Sequence, residues 1–389
     1  MLMDILCRKG QVMRKMKNKI VFMMTQMIKM TLQHLILPVV YGFWRIVYIG
    51  KKPELIVFAD SNHGSIPASM VQLHDTLISK GYDVVDAFRD CGRSSQLGSL
   101  LYAMGFMKLY VQAKVVFICD NFHPVISCHK RKETTVVQLW HACGAYKKFG
   151  YATEDDVPKG YIGHMYRNYN LVTVSSPFCV RPFEESMRQE PGVVQPLGIS
   201  RTDAYFDEKW IENCRENFYV HHPEAKGKKV ILWAPTFRGN AGDAHQIGLD
   251  EMLRLKQQLN EEYYLLIKLH PHVDAKIHQS NSSIVTEQLL PVVDLLVTDY
   301  SSVLFDFMIF KKPYMLYVPD LKEYTQTRGF YLDIKTLSPY LAENESELIH
   351  QIECALNCKD CTWVDEIAEK YVASCDGHAT ERILEKLKV

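Results

Sequence analysis

Two segments of this sequence combine residue types that can move a phosphoryl group. In the first, the apolar run TVVQLW (135–140) ends at His141, and Ala142, Cys143, Gly144, Lys147 and Lys148 follow. An imidazole that leaves a buried strand into a small-residue loop can take a proton from an attacking hydroxyl, because its ordinary pKa lies near neutrality. In the second, DLLVTDYSSVLFDF (294–307) reads as a strand that passes through Asp299-Tyr300-Ser301-Ser302 into an apolar helical pattern. Ser301 and Ser302 then stand at a helix N-terminus, where free N–H groups, hydroxyls and the dipole can hold a phosphate. A plain N-capping serine explains the isolated tetrapeptide equally well. Asp306, one turn into that helix, suits either a ribose hydroxyl or the edge of the core.

Further cations sit at other strand ends. Lys268 and His270 close the run YYLLIKLHP (263–271), and a cation beside an imidazole suits a diphosphate whose leaving group gains charge. Arg238, after WAPTF, and Arg328, before Gly329-Phe330-Tyr331, offer planar donor forks for phosphate oxygens. Taken singly, each of these four reads as well as a surface residue. Asp60 and Ser61, followed by Asn62-His63, and Asn121 after Asp120 can bind an acceptor or simply form turns. Cys143 is a poor nucleophile candidate, because no partner in its loop would activate the thiol. The sequence holds no Gly-x-Gly-x-x-Gly loop, no Gly-x-x-x-x-Gly-Lys-Ser/Thr loop and no convincing pair of metal-binding carboxylates after a strand. No cofactor is implied, although a divalent cation can accompany a diphosphate.

These residues need a scaffold that brings strand ends together, and the pattern supplies one. Short apolar runs alternate with amphipathic stretches, as in parallel strands joined by helices. LIVFA (55–59), DVVDAF (83–88), VVFICD (115–120), TVVQLW and LVTVSS (171–176) form one series. KVILWAPTF (229–237), YYLLIKLHP, DLLVTDYSS and PYMLYVP (313–319) form a second, after the polar stretch YVHHPEAKGKK (219–229). The expected fold class is α/β, with two Rossmann-like domains facing across a cleft. The expected division is a basic apolar segment over 1–52, one Rossmann-like domain over 53–215, a second over 216–375 and a terminal helix over 376–389. Open parallel sheets bind ligands beyond the carboxyl ends of their strands, which is where the candidate residues lie.

Over the whole chain, 45 Lys and Arg balance 45 Asp and Glu, so no global basic field points to nucleic acid. Residues 1–52 depart from that balance, with ten Lys or Arg against Asp4 alone. A basic, apolar segment of this kind suits the surface of an anionic membrane, and peripheral attachment at the cytoplasmic face is expected. Lys29, His34 and Arg45, with no small-residue cleavage site after them, argue against a signal peptide. His34, Pro38, Gly42 and Arg45 within 32–49 argue against a span, and a packed or partner-binding helical segment is the other alternative. Eleven cysteines without a regular framework favour a reducing compartment. Cys354, Cys358 and Cys361 have the spacing of an iron–sulfur site but follow a helical stretch near the C-terminus, the wrong context for one.

Taken in order, these pieces resemble the CDP-glycerol glycerophosphotransferase family, whose members build teichoic acids and related capsular polymers. The resemblance rests on QLWHACGAYKKFGY (138–151), LGISRTDAYFD (197–207), ILWAPTFR (231–238), LLIKLHPH (265–272), DLLVTDYSSVLFDF and the segment from Pro313 to RGFY at Tyr331. It implies a GT-B-like pair of domains, CDP-glycerol or CDP-ribitol as donor, and a lipid-linked saccharide or growing polymer as acceptor at the membrane surface. By the same resemblance His141 is the general base, His270 a ligand of the donor diphosphate, and Ser301, Ser302 and Arg328 further donor-binding groups. Where the family frequently has WHGTP this chain has WHACG, a form that looks closer to ribitol-phosphate and capsule members. The chain lacks the large N-terminal extension of some polymerases, so a single-addition primase and a polymerase both stay open. A GT-B glycosyltransferase using a nucleotide sugar and an inactive membrane-associated binding protein are the alternatives.

Overall fold

The structure, a computed structural model, describes Met24 and residues 27–157, 159, 161, 163–239 and 244–389. The basic residues from Arg8 to Lys19 lie outside the described residues. The alternating pattern folds into strands β1 (Leu55–Asp60), β2 (Val84–Phe88), β3 (Ala113–Ile118), β4 (Thr135–Gln138), β5 (Leu171–Thr173) and β6 (Val194–Gln195). The second series gives β7 (Lys229–Trp233), β8 (Tyr263–Ile267), β9 (Leu295–Thr298), β10 (Tyr314–Tyr317) and β11 (Leu341–Ala342). The expected strands are present; β6 and β11, two residues each, carry too short an apolar run to be read from sequence. TVVQLW ends earlier than its apolar run suggests, because Trp140 leaves extended geometry with φ 59°.

The strand orders are β2-β1-β3-β4-β5-β6 and β11-β10-β9-β7-β8. Numbered from their own first strand, the sheets run 2-1-3-4-5-6 and 2-1-3-4-5, the doubly wound order, and β1 pairs in parallel with β2 and β3 as β7 does with β8 and β9. The reversal falls between β1 and β3 in one sheet and between β7 and β9 in the other, the two places where such sheets open a crevice for ligand. All residues of β9 and β10 are buried, as expected for parallel strands covered on both faces.

Contacts divide the chain into two compact units. The first holds the described residues up to Pro67, Leu77–Gln138 and Gly160–Asn170; the second holds Ala68–Thr76, Leu139–Lys159 and Leu171–Val389. In the first unit the helical segment Met27–Val47 is long and apolar enough to cross a membrane. Gln33, Leu37 and Tyr41 are buried along it, and Tyr41 Oη accepts from the Arg131 amide at 2.9 Å. Ile28, Leu35, Val39, Phe43 and Ile46 are exposed.

The second unit ties its terminal helix, Ala379–Leu387, to the segment LGISRTDAYFD. Asp203 accepts from the amides of Ala379 at 2.9 Å and Thr380 at 2.7 Å, two of the donors that the first turn leaves unsatisfied. Removing this cap leaves two buried N–H groups without partners. Asp203→Ala is expected to lower unfolding free energy by about 1–3 kcal/mol, seen as a lower midpoint in denaturant at unchanged slope.

Candidate active site

At the reversal of the second sheet, β7 runs out through Ala234 and Pro235 to Thr236, Phe237 and Arg238, and β9 runs out into Asp299. The Asp299 carboxylate accepts from the Thr236 amide at 2.7 Å and the Tyr300 amide at 2.5 Å, and lies 3.0 Å from Arg238 Nη2. Arg238 also donates to both carboxylate oxygens of Asp320, Nε to Oδ2 at 2.7 Å and Nη2 to Oδ1 at 2.9 Å. Burial would raise the Asp320 carboxyl, but the Arg238 fork overrides it and holds the group below the usual carboxylate range. The Arg238 guanidinium lies over Tyr300 and Tyr324, which stack at 4.1 Å between centroids.

This network floors a cavity of about 810 Å³ whose walls include Lys147, Asp156, His245 and Arg328. Arg328 donates to Asp156 at 3.0 and 3.1 Å and, through Nε, to the Lys148 carbonyl at 3.2 Å. Arg238 and Arg328, both expected among the phosphate partners, therefore line one cavity, each already held by carboxylates. Lys147 makes no ion pair with a described residue, and burial first, then Arg328, push its ammonium down to about 8. The segment that carries it is paired: Lys147 bridges Phe330, the Lys148 amide donates to the Gly329 carbonyl at 3.1 Å, and the Tyr331 amide to the Tyr146 carbonyl at 2.9 Å.

His141 begins the same loop. Trp140 before it is left-handed, a conformation that costs a bulky residue on the order of 1–3 kcal/mol and must be enforced by its surroundings. The indole packs between Phe149 at 5.1 Å and Phe183 at 5.4 Å and stacks on the exposed His141 ring at 4.6 Å. Gly144 has φ +73°, and a Cβ there would fall 2.3 Å from the Phe305 ring, so this position of WHACG admits only glycine. Behind the loop, Arg201 donates to the His141 carbonyl at 3.3 Å and to Asp306 Oδ2 at 2.9 Å.

The remaining expected residues fall as follows. Asp306 takes the core reading of the two open to it: it is buried, and its oxygens receive Arg201, the Tyr205 hydroxyl at 3.3 Å and the Cys143 thiol at 3.5 Å. A hydrogen bond with Cys375, burial and the Asp306 charge push the Cys143 thiol up, keeping it protonated and unreactive. Ser301 and Ser302 are half-buried before the helix Val303–Met308; Ser302 makes no capping bond, and the Val303 amide lies 3.5 Å from Ser301 Oγ. Lys268 donates to the Ser282 carbonyl at 2.9 Å, and burial lowers its ammonium. His270 rests its ring 4.5 Å from Phe237, a wall of the cavity.

In the first unit, Asp60 takes the turn reading, its Oδ1 accepting from the amides of Asn62 at 2.6 Å and His63 at 2.8 Å. Ser61 follows it, half-buried, at the end of β1. Asn121, beyond the end of β3, has a buried Oδ1 with no hydrogen-bond partner among the described residues. Among the described residues no three His, Cys, Asp or Glu side chains are grouped to hold a metal ion, and Cys361 instead donates to Cys358 at 3.3 Å. Sequence reasoning assigned no role to Arg201, although LGISRTDAYFD was visible; a buried arginine has no sequence signature of its own.

The family model described as CDP-Glycerol:Poly(glycerophosphate) glycerophosphotransferase matches residues 43–388. The chain belongs to this family. It is similar to a teichoic acid ribitol-phosphate primase of Bacillus spizizenii, 34% identical over 301 residues that cover 72% of this chain and 76% of that protein. A poly(ribitol-phosphate) polymerase of the same organism is 32% identical over 89% of this chain and 58% of its own length. A glycerol-phosphate primase of Bacillus subtilis is 32% identical over 69% of this chain and 72% of its own. In fold, the chain resembles the wall teichoic acid polymerase TagF with a TM-score of 0.71, at 16% identity, over 95% of this chain and 97% of that one. As a member of the glycerophosphotransferase family, the chain is a CDP-polyol phosphotransferase.

The lowered Lys147 ammonium on the cavity wall generates a test of donor binding there. A lysine with a folded pKa of about 8 is cationic at neutrality and loses its charge as pH rises through that value. The affinity for a CDP-polyol, measured by titration calorimetry, is expected to hold steady from pH 6.5 to 7.5 and to fall by up to about tenfold per unit above pH 8. Lys147→Met should bind more weakly at pH 7 and lose the dependence.

Proposed function

We propose that this transferase moves ribitol phosphate, or glycerol phosphate, from its CDP-polyol to a hydroxyl of a lipid-linked saccharide or growing teichoic acid polymer, with His141 as the general base. The observation that carries this reading is the His141 loop: an exposed imidazole on a backbone fixed by Arg201 behind it and by Trp140 beside it. The imidazole takes the acceptor proton as the acceptor oxygen forms its bond to the β-phosphorus. The bond from that phosphorus to the bridging oxygen breaks, and CMP leaves with the electron pair. His270, Ser301, Ser302, Lys268, Arg238 and Arg328 are proposed to hold the donor, the two arginines by exchanging carboxylate partners for phosphate oxygens. Asn121, with its orphaned carbonyl, is the better supported of the proposed acceptor contacts in the first unit. The same reading gives the acceptor to residues 53–215 and the donor to 216–375.

Ribitol is the donor to test first, because the WHACG form and the ribitol-phosphate primase and polymerase support it. Incubation with CDP-ribitol and CDP-glycerol in turn, with and without a lipid-linked acceptor, should release CMP from the true donor in an acceptor-dependent way. His141→Ala should abolish CMP release while donor affinity stays within about threefold; turnover at the wild-type rate would remove His141 from the mechanism.

We further propose peripheral attachment at the cytoplasmic face of the membrane. Ile28, Leu35, Val39, Phe43 and Ile46 recur at helical intervals, with Lys29 and Arg45 on the same segment, as in helices that lie in a lipid interface. Val39→Glu/Phe43→Glu in the full chain should reduce sedimentation with phosphatidylglycerol vesicles at least several-fold without changing turnover on a soluble acceptor. Undiminished sedimentation would place the attachment elsewhere.

A further inference from the structure

Arg201 and Asp306 form a charged pair where the core of the second unit would accommodate apolar residues. Their side chains are 7% and 5% exposed, and the pair is bidentate, Nη1 to Oδ1 at 2.8 Å and Nη2 to Oδ2 at 2.9 Å. Taking two ions out of water costs more than their attraction commonly returns, so stability is a weak reason for such a pair. Its geometry supplies a better one. The Nη2 that binds Asp306 also reaches the His141 carbonyl at 3.3 Å, and the Cys143 thiol donates to Asp306 Oδ1 at 3.5 Å. His141, through Arg201, and Cys143, through Asp306, are thus tied to one ion pair.

The tie is tight in two further respects. Tyr205 is held between the partners, accepting from Arg201 Nη1 at 2.8 Å and donating to Asp306 Oδ1 at 3.3 Å. Arg201 Nε is buried with no acceptor among the described residues, so the fork is aimed at Asp306 and the loop carbonyl at the expense of one of its own donors. On the other side of His141 the chain turns through the left-handed Trp140, a conformation that needs restraint from both flanks.

We propose that the Arg201–Asp306 pair, with Cys143 as its third member, positions His141 for proton abstraction. Arg201 and Asp306 are positioning residues that act through the loop backbone and touch no substrate. This inference rests on the reading of His141 as the base.

The test replaces the pair as a unit. Arg201→Met/Asp306→Leu fills the same space without buried charge; because it leaves the buried Tyr205 hydroxyl without these two partners, it should melt a few degrees below the wild type and stay folded in the assay. Its kcat for CMP release should nonetheless fall by about 10–100-fold, with KM for the CDP-polyol within about threefold, because a misplaced base slows the chemical step and leaves donor binding intact. Arg201→Lys keeps the charge and loses the fork; it should show a drop in kcat of about tenfold or more at a near-normal melting temperature. Should the double variant not fold, a wild-type kcat in Arg201→Lys overturns the proposal. A double variant that folds and turns over normally, or that loses only KM, also overturns it. His141→Ala run in parallel separates the two ideas: turnover surviving there defeats the reading of His141, whereas a dead His141→Ala beside a fully active double variant defeats only the positioning.

Discussion

Much of the second unit hangs on the carboxylate of Asp299. It closes the end of β9 by accepting from the Thr236 and Tyr300 amides, and it is one of two acids that hold Arg238. The backbone carbonyl of the same residue accepts from the Tyr146 hydroxyl at 2.9 Å. One residue therefore fixes the exit of β7, the exit of β9 and the middle of the loop that starts at His141. Parallel sheets leave backbone groups at their carboxyl ends for loops to satisfy, and here an aspartate meets that need where ligand is expected.

A second layer of restraint follows from the first. Tyr146, anchored to β9, hands the chain to Lys147 and Lys148, which pair with Gly329 and Phe330. The aromatic rings of Tyr300, Tyr324 and Phe330 stack beneath this short ladder, at 4.1 Å for the first two and 5.5 Å for the second two. This part of the cavity wall is thus held by backbone pairing and stacked rings. The carboxylates that hold Arg238 and Arg328 keep these guanidinium groups in place and offset their charge.

The sequence made the scaffold legible because its signals are periodic. Apolar runs such as KVILW and DLLVT announce buried parallel strands, and the motifs at their ends announce the side of the sheet that matters. Side-chain commitments carry no such period. Nothing in DYSSVLFDF distinguishes an Asp306 that meets a ribose from one that meets a buried arginine, since the deciding partner, Arg201, lies 105 residues away. Asp60 was ambiguous for a related reason: the same carboxylate can close its own turn or bind a ligand, and only its amide partners decide. Trp140 shows the limit from the other side, for an apolar residue after four strand residues reads as more strand until its φ is known.

That left-handed tryptophan also bears on how the protein can be engineered. Glycine at position 140 would relieve the strained φ but would lose the indole packed between Phe149 and Phe183. The indole lost in that exchange is the surface on which the His141 ring lies, 4.6 Å away. Position 140 is therefore a site where backbone strain and side-chain packing oppose each other, and a search for hardier variants should leave it alone.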